Sequence, residues 1–261
     1  MSEITVGEIA EILNAQFPEN TQDNWDNSGL LVGIRSAAVK GVLTTVDITE
    51  AVVDEAIASD CNMIVSHHPL MFRGLRRLVG ATDEQRTVMK AIQHGIALYA
   101  SHTCCDKSLH GTSAHLAQML RLENVSILIP EGDGTIGYGV VGNLNKTMTI
   151  REFAQYLKSQ IGCTSVRLND ENREIKRVAI CTGSGSEFVP QAIKSGADIY
   201  VTADMKYHQM AEAAERIAIA DIGHWESEQI TKQIFYDLLS GKISKFARCK
   251  VSLCSNPIKY I

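Results

Sequence analysis

Short apolar runs alternate with longer amphipathic segments along most of the chain. The apolar runs have the length and composition of buried strands and lie at residues 41–46, 63–66, 96–101, 178–181, 199–202 and 217–222. The segments between them carry apolar residues three and four positions apart, which predicts helices at 50–59, 84–94, 187–194, 207–216 and 226–239. This alternation predicts an α/β fold with mainly parallel sheets covered by helices.

The chain divides into two α/β halves in this interpretation. Residues 1–123 form the first half, and residues 124–261 contain a connecting α+β region and the second half, with a C-terminal helix and strand able to cross back to the first. Apolar positions around 53–65 match those 136 positions later, which indicates either an internal duplication or the ordinary similarity of two strand-helix units. Several glycines between 132 and 142 favour antiparallel structure in the connecting region.

Composition narrows the class of protein. The 261 residues are 45% hydrophobic and carry a formal net charge of -5, so neither a nucleic-acid partner nor a membrane surface is favoured. The N-terminal segment has no signal-peptide pattern, and Thr5 with Glu8 predicts a capping box at the start of a helix. These features predict a cytoplasmic protein that does not span a membrane.

Potential metal ligands follow three of the predicted strands. His67 and His68 come after the strand at 63–66, Asp106 follows the strand at 96–101, and His224 and Glu228 follow the strand at 217–222. Ligands in parallel α/β sheets bind at the carboxyl ends of strands, so these side chains are expected to converge. The set predicts a site for two divalent ions, and imidazole and carboxylate ligands suit zinc, manganese or iron equally.

The spacing of the ligands supports two ions. Neighbouring side chains of an extended strand point to different sides, so His67 and His68 suit two ions better than one. His224 and Glu228 are four positions apart at the start of a helix and share one face, whereas Glu226 points elsewhere. Each pair alone is more often structural than metal-binding, and their joint position after strands is what favours a metal site.

Other residues near these positions are candidates for substrate chemistry. His102 and His208 can transfer protons or can be ordinary structural histidines. Gly183, Ser184 and Gly185 join a strand to a helix, where a turn either binds a phosphate through its backbone N–H groups or is a plain tight turn. Cys104 and Cys105 precede Asp106 but are expected to be buried reduced thiols rather than ligands.

The ordered motifs DNSGLLVG, IVSHHPLMF, SHTCCD, TADMKYHQ and GHWESEQ resemble those of the GTP cyclohydrolase 1 type 2-like family, also called NIF-three-like. The resemblance spans nearly the whole chain. It implies two similar α/β halves with a dinuclear metal cleft between them, and a homohexameric ring of stacked trimers. It further implies that His68 and Asp106 hold one ion, that His67 and His224 hold the other, and that Glu228 bridges both.

Two functions follow from this resemblance. The first is a metal-dependent hydrolase of the GTP cyclohydrolase type, acting on a small nucleotide-like substrate. The second is a non-catalytic metal-binding adaptor, chaperone or regulator of transcription-associated partners. Uncoordinated histidines beside the ligands favour the enzyme, because proton transfer needs such groups and an adaptor does not.

Overall fold

The computed structural model describes residues 3–259 and residue 261. Its described residues form two compact units. The first contains the residues up to Cys105 together with Thr231–Ser255, and the second contains Asp106–Ile230 and the residues from Asn256 onward. The sequence predicts two halves that meet between residues 123 and 124, and this division stays a prediction. Its bounds differ from those of the two units.

The first unit is built on a sheet of five described strands. From edge to edge these are Gly29–Val32, Ala97–Ala100, Met63–Ser66, Gly41–Thr45 and Arg248–Val251. The edge strand Gly29–Val32 is antiparallel to its neighbour, and the other pairings are parallel. The C-terminal strand Arg248–Val251 thus belongs to the first sheet, in register with Gly41–Thr45.

Helices accompany this sheet, and their starts follow the capping chemistry of the sequence. The predicted capping box is confirmed: Thr5 and Glu8 satisfy each other's backbone N–H groups at the first helix. Thr49 and Thr82 cap the next two helices through their hydroxyl groups. The helices of the first unit are Val6–Gln16, Glu50–Ala58, Asp83–Gln93 and Thr231–Ile243, with a 3₁₀ turn at Glu19–Thr21.

The second unit is built on a mixed sheet of six described strands. In order these are Glu123–Glu131, Ile136–Thr149, Glu174–Ile180, Ile199–Thr202, Ala218–Asp221 and Arg167–Leu168. Only the pairings of Ile199–Thr202 with its two neighbours are parallel, so this sheet is more antiparallel than the first. Its helices are Thr112–Met119, Ile150–Ile161, Val189–Lys194, Tyr207–Ala213 and His224–Glu228, with a 3₁₀ turn at Ser186–Phe188. The short helix Thr103–Asp106 spans the boundary of the two units in the sequence.

The central strands are buried on both faces. In the second sheet, Val178, Ile180 and Val201 pack into one apolar cluster, while Ala179 and Tyr200 pack into another. Successive residues of a strand point to opposite faces, so a strand between two such clusters must be apolar throughout. The polar residues that follow these strands are the first ones able to leave the core, which is why they can carry chemistry.

The predicted fold class is confirmed as a mixed α/β fold with two sheets. Among the described residues, no helix combines the length and the apolar character that crossing a bilayer requires.

Candidate metal centre

The candidate ligands fall into two sets, one in each unit. His67, His68 and His102 belong to the first unit, and Asp106, His224 and Glu228 belong to the second. The two sets differ in their ligands, since the first consists of imidazoles and the second combines an imidazole with carboxylates.

The first set extends from two buried parallel strands. His67 and His68 follow Met63–Ser66 directly, and their backbone N–H groups donate to the carbonyls of Thr45 and Val46 at 3.2 and 2.9 Å. The strand pairing therefore continues through both histidines. Their backbone is fixed by the sheet rather than by a flexible loop, so the side chains start from well-defined positions.

Each imidazole of this set has its Nδ1 atom against an oxygen. Nδ1 of His67 lies 3.1 Å from the carbonyl oxygen of Ser101, and Nδ1 of His68 lies 2.7 Å from Oδ1 of Asp47. Nδ1 of His102 lies 2.9 Å from Oδ1 of Asp26. Oxygen acceptors favour the tautomer that carries its proton on Nδ1, which presents the Nε2 lone pair to a metal ion or a proton.

The three histidines lie close enough to share an ion. Each offers a ligand atom, and these atoms lie within 4.8 Å of one another. His67 is fully buried, and the side chain of His68 is 20% exposed. The sequence predicted proton transfer rather than ligation for His102, and its position beside His67 and His68 is compatible with both roles.

A buried carboxylate holds His102. Asp26 accepts hydrogen bonds from His102 Nδ1 and from the backbone N–H and hydroxyl of Thr103, and its side chain is buried. Burial by itself raises the pKa of Asp26, but the hydrogen bond and charge of His102, with the bonds from Thr103, outweigh it and hold the pKa well below its ordinary value. Asp26 is therefore a permanent anion that orients His102.

The second set is formed around Glu228. Its side chain is only 4% exposed, and its Oε2 lies 3.0 Å from Nε2 of His224, four positions earlier on the helix His224–Glu228. Nδ1 of His224 lies 2.7 Å from Oδ2 of Asp204. The hydrogen bond with Glu228 raises the pKa of His224 to about 9 against the opposing effect of burial, and Asp204 adds to the rise. A proton on His224 therefore competes with a metal ion for the same pair of ligand atoms.

A glycine makes room for the Glu228 carboxylate. Gly183 adopts φ +65°, and a Cβ atom there would lie 2.1 Å from Oε1 of Glu228. The N–H of Gly183 donates to Oγ of Ser227 at 2.8 Å, and that of Gly185 donates to Oγ1 of Thr202 at 3.2 Å. The turn thus supports the ligand helix. Phosphate binding by Gly183, Ser184 and Gly185 stays a prediction, with two of these three N–H groups engaged inside the protein.

Asp106 is oriented by a chain of hydroxyl groups. Oγ1 of Thr112 donates to Oδ1 of Asp106 at 2.7 Å, and Thr182 donates in turn to Thr112 at 2.7 Å. Burial, followed by the negative charges of Asp106 and Glu228, raises the pKa of the Cys181 thiol to about 12, so Cys181 is a neutral thiol near these carboxylates. Cys104 and Cys105 are buried, as expected.

His208 does not join these residues in the described structure. It is exposed at the start of the helix Tyr207–Ala213, where its ring contacts that of Tyr207 edge-on at 5.2 Å. It belongs to no cluster of potential ligands among the described residues. Its proton-transfer role stays a prediction. Glu226 is directed elsewhere, toward the side chain of Asn256.

Two aspartates orient histidines of the first set, and the sequence did not predict that role for either of them. Asp47 stands two positions after the strand Gly41–Thr45, and this position after a buried strand is the same signal that marks His67. The role of Asp26 had no such signal, because its contact with His102 joins residues 76 positions apart.

The residues present suit divalent ions. Imidazole nitrogens and carboxylate oxygens are ligands of zinc, manganese and iron, and the orienting oxygens behind the imidazoles are typical of metal sites. Gly183 leaves the space that the Glu228 carboxylate occupies, since a Cβ atom there would collide with it.

Comparison with known proteins assigns the chain to a protein family. Residues 4–257 match the model of the family Duf34/NIF3 (NGG1p interacting factor 3). The chain belongs to this family. The resemblance noted from the sequence motifs is therefore confirmed.

Relatives and solved structures of the Duf34/NIF3 family agree with this assignment. A protein of Clostridium acetobutylicum named "GTP cyclohydrolase 1 type 2 homolog" is 31% identical over 246 residues, which cover 93% of this chain and 92% of the relative. A protein of Clostridium perfringens with the same name is 35% identical over 227 residues, which cover 85% of this chain and 86% of the relative.

The crystal structure of a Staphylococcus aureus hypothetical protein has a TM-score of 0.93 at 31% identity, with full coverage of both chains. A Bacillus cereus protein related to NIF3 has the same fold, with a TM-score of 0.92 at 24% identity and full coverage.

The Gly183→Ala substitution should displace the Glu228 carboxylate and lower metal binding. Gly196→Ala is a matched control, since Gly196 also has a positive φ of +74°, but a Cβ atom there would meet no described atom within 4 Å. Gly196→Ala should lose about 1 kcal/mol from backbone strain, as measured by chemical denaturation, and Gly183→Ala should lose more because its Cβ atom also collides with Glu228. Only Gly183→Ala should reduce the metal content measured by elemental analysis. Equal metal content in both variants would contradict the assigned role of Gly183.

Replacing Asp26 by Asn should destabilise the protein by about 1–3 kcal/mol at pH 7, because it removes the charge from a buried hydrogen-bonded group. The pKa of Asp26 is lower in the folded protein than the unfolded value of about 3.9, so its stabilisation is present above that pH and is lost as the pH falls further. Urea midpoints of the two proteins should thus converge below about pH 4. Asp133→Asn is the control, because Asp133 lies in an exposed turn and its replacement should change the urea midpoint little. A difference in midpoint between the wild type and Asp26→Asn that does not depend on pH would contradict the prediction.

Proposed function

We propose that this protein is a metal-dependent hydrolase of nucleotide-like substrates, with two divalent ions held by His67, His68, Asp106, His224 and Glu228. The observation that carries the proposal is the orientation of the imidazoles. His68, His102 and His224 each place Nδ1 against a carboxylate, and His67 places it against a carbonyl. Such partners fix the tautomer that ligates metals through Nε2. Zinc, manganese and iron all suit this ligand set.

Glu228 is the proposed bridging ligand. Its carboxylate is almost completely buried, and a buried charge needs a cationic partner. Protonated His224 supplies one positive charge, and two divalent ions held in part by Glu228 would supply more. This role suits a carboxylate better than a neutral side chain, because two cations repel each other without an anion between them.

The chemistry needs both Lewis acidity and proton transfer. When bound, two divalent ions make water acidic and stabilise negative charge that develops on the substrate. His102 is the proposed proton carrier: Asp26 holds its Nδ1, so Nε2 can accept a proton and Asp26 can stabilise the resulting imidazolium. The Asp26–His102 pair is the feature that favours an enzyme over a metal-binding adaptor.

The names of the Clostridium relatives support the nucleotide class of substrate, since both are named as homologues of a GTP cyclohydrolase. We further propose a cytoplasmic homohexamer of stacked trimers, as the family resemblance implies. Gly183, Ser184 and Gly185 remain the proposed contact for a substrate phosphate, with the exposed Ser184 at the centre of the turn.

Elemental analysis should find up to two transition-metal ions per chain, and Glu228→Gln should lose both. Gln keeps the size of the side chain but has no charge to hold two cations. Glu226→Gln is the matched control, because Glu226 lies on the same helix and contacts Asn256 instead. Loss of a single ion in Glu228→Gln would exclude the bridging role, and a wild-type protein that binds no metal in titration would exclude the site.

The His102→Ala variant should retain its metals and lose about 10²–10⁴-fold in kcat, the usual contribution of a proton-transfer residue. The assay compares hydrolysis of GTP and a panel of phosphoesters by the metal-loaded wild type, His102→Ala, His208→Ala and Glu228→Gln. The pH profile should lose one limb in His102→Ala, which a purely structural defect would not cause. Activity that is equal in all four proteins would come from a contaminant and would favour the adaptor.

A further inference from the structure

Two exposed aromatic side chains stand beside His102 in the first unit. Trp25 is 59% exposed and Phe72 is 47% exposed. The ring of each meets the ring of His102 edge-on, with centroids 5.7 Å apart in both cases. A single exposed aromatic ring is ordinary on a protein surface, whereas two such rings in contact with each other and bordered by polar groups form an apolar patch of the kind that marks binding sites.

The positions of the two rings are set by hydrogen bonds between separate segments. The Asn27 side chain donates from Nδ2 to the carbonyl of Met71 at 2.5 Å, which ties the segment of Trp25 to that of Phe72. Asp26, between Trp25 and Asn27, binds His102 and Thr103. The same short segment therefore orients His102 and positions both aromatic rings against it.

The geometry of the pair suits a flat ligand. The ring centroids of Trp25 and Phe72 are 6.2 Å apart and their planes are inclined by 33°, so the two rings form a tilted pair. No slot is left between them for a third ring, and a ligand must instead lie across their exposed surface. Planar aromatic rings gain most from such a surface because offset stacking combines apolar contact with favourable quadrupole geometry.

We propose that Trp25 and Phe72 form a stacking platform for the heteroaromatic ring of the substrate, a purine-type base, and place that ring next to His102. The inference deepens the proposed function, on which its catalytic meaning rests. A ring on this platform lies within reach of the residue proposed to carry the proton. Stacking recognises the π-face of a base, so the platform selects the class of substrate, and polar groups must select the individual base.

Tryptophan fluorescence tests the platform without any assay of activity. The chain has two tryptophans, so Trp225→Phe leaves Trp25 as its single indole reporter. Guanosine should quench this fluorescence in a saturable manner, whereas ribose 5-phosphate, which has no aromatic ring, should not. Adding Phe72→Ala should weaken guanosine binding by about 5- to 150-fold, the range found when one stacking side chain is removed.

The matched control is Phe246→Ala in the same background. Phe246 has the same 47% exposure as Phe72 and lies outside the aromatic pair, so its loss should leave guanosine affinity unchanged. Thermal unfolding followed by circular dichroism shows whether each variant is folded. Calorimetric titration of Trp25→Leu with guanosine provides a second measure, in which binding should also weaken.

The outcomes separate this inference from the proposed function. Saturable guanosine binding that depends on Phe72, in a protein without hydrolase activity, supports the platform and removes the reaction. Hydrolysis of GTP with an unchanged KM in Phe72→Ala removes the platform and leaves the reaction. Equal affinity of the Phe72→Ala and Phe246→Ala proteins overturns the platform, as does a Phe72→Ala protein that changes its oligomeric mass but not its guanosine affinity, since the rings would then form a contact between copies of the chain.

Discussion

The hydrogen bond at Nδ1 of each imidazole is the interaction on which the candidate centre depends. An imidazole can turn about its side-chain bonds and exchange tautomers, so a histidine near a metal site is useful only when both freedoms are removed. Here the oxygens of Ser101, Asp47 and Asp204 come from residues that follow buried strands, and their positions are fixed by the sheets. Strand ends supply both the ligand and the group that orients it.

This arrangement explains why the strands must be so apolar. The strands Met63–Ser66 and Ala218–Asp221 are buried at every position, so the chain offers no polar side chain until the strand is almost complete. The charged side chains that follow these strands are costly to bury. Glu228 lies in that region, and its hydrogen bond with His224 favours the protonated form of that imidazole. The raised pKa of His224 is the visible consequence of this charge balance.

The sequence predicted regular elements well where apolar pattern alone determines them. The strands at 63–66 and 199–202 have the predicted bounds, and the helix at 50–59 ends one residue earlier. The helix predicted at 226–239 is instead two helices, His224–Glu228 and Thr231–Ile243, because the first belongs to the second unit and the other belongs to the first unit. Apolar spacing continues across that break, so it could not reveal it. The sequence allowed a C-terminal helix and strand to cross back to the first half, but it could not indicate which strand they would join. The pairing of Arg248–Val251 with Gly41–Thr45 joins residues about two hundred positions apart, and neither strand encodes its partner in its own pattern. The candidate ligands could be proposed from the sequence because their side-chain chemistry is distinctive, whereas Asp26 is an ordinary aspartate until His102 is placed beside it.

The side chains within each set differ in their exposure to solvent. This difference bears on whether the candidate metal site is catalytic or structural. A structural metal site is closed by its protein ligands, whereas a catalytic one keeps a side open to water or substrate. In the first unit His67 is fully buried while His68 is 20% exposed, and in the second Glu228 is 4% exposed while His224 is 34% exposed. Each set therefore has one candidate ligand anchored in the core and one that solvent can reach. An adaptor gains nothing from that open side, because an ion that only stabilises a fold is held best when water is excluded from it. An enzyme requires it, since the reacting molecule must enter there, and Trp25 and Phe72 provide the kind of surface that would receive it.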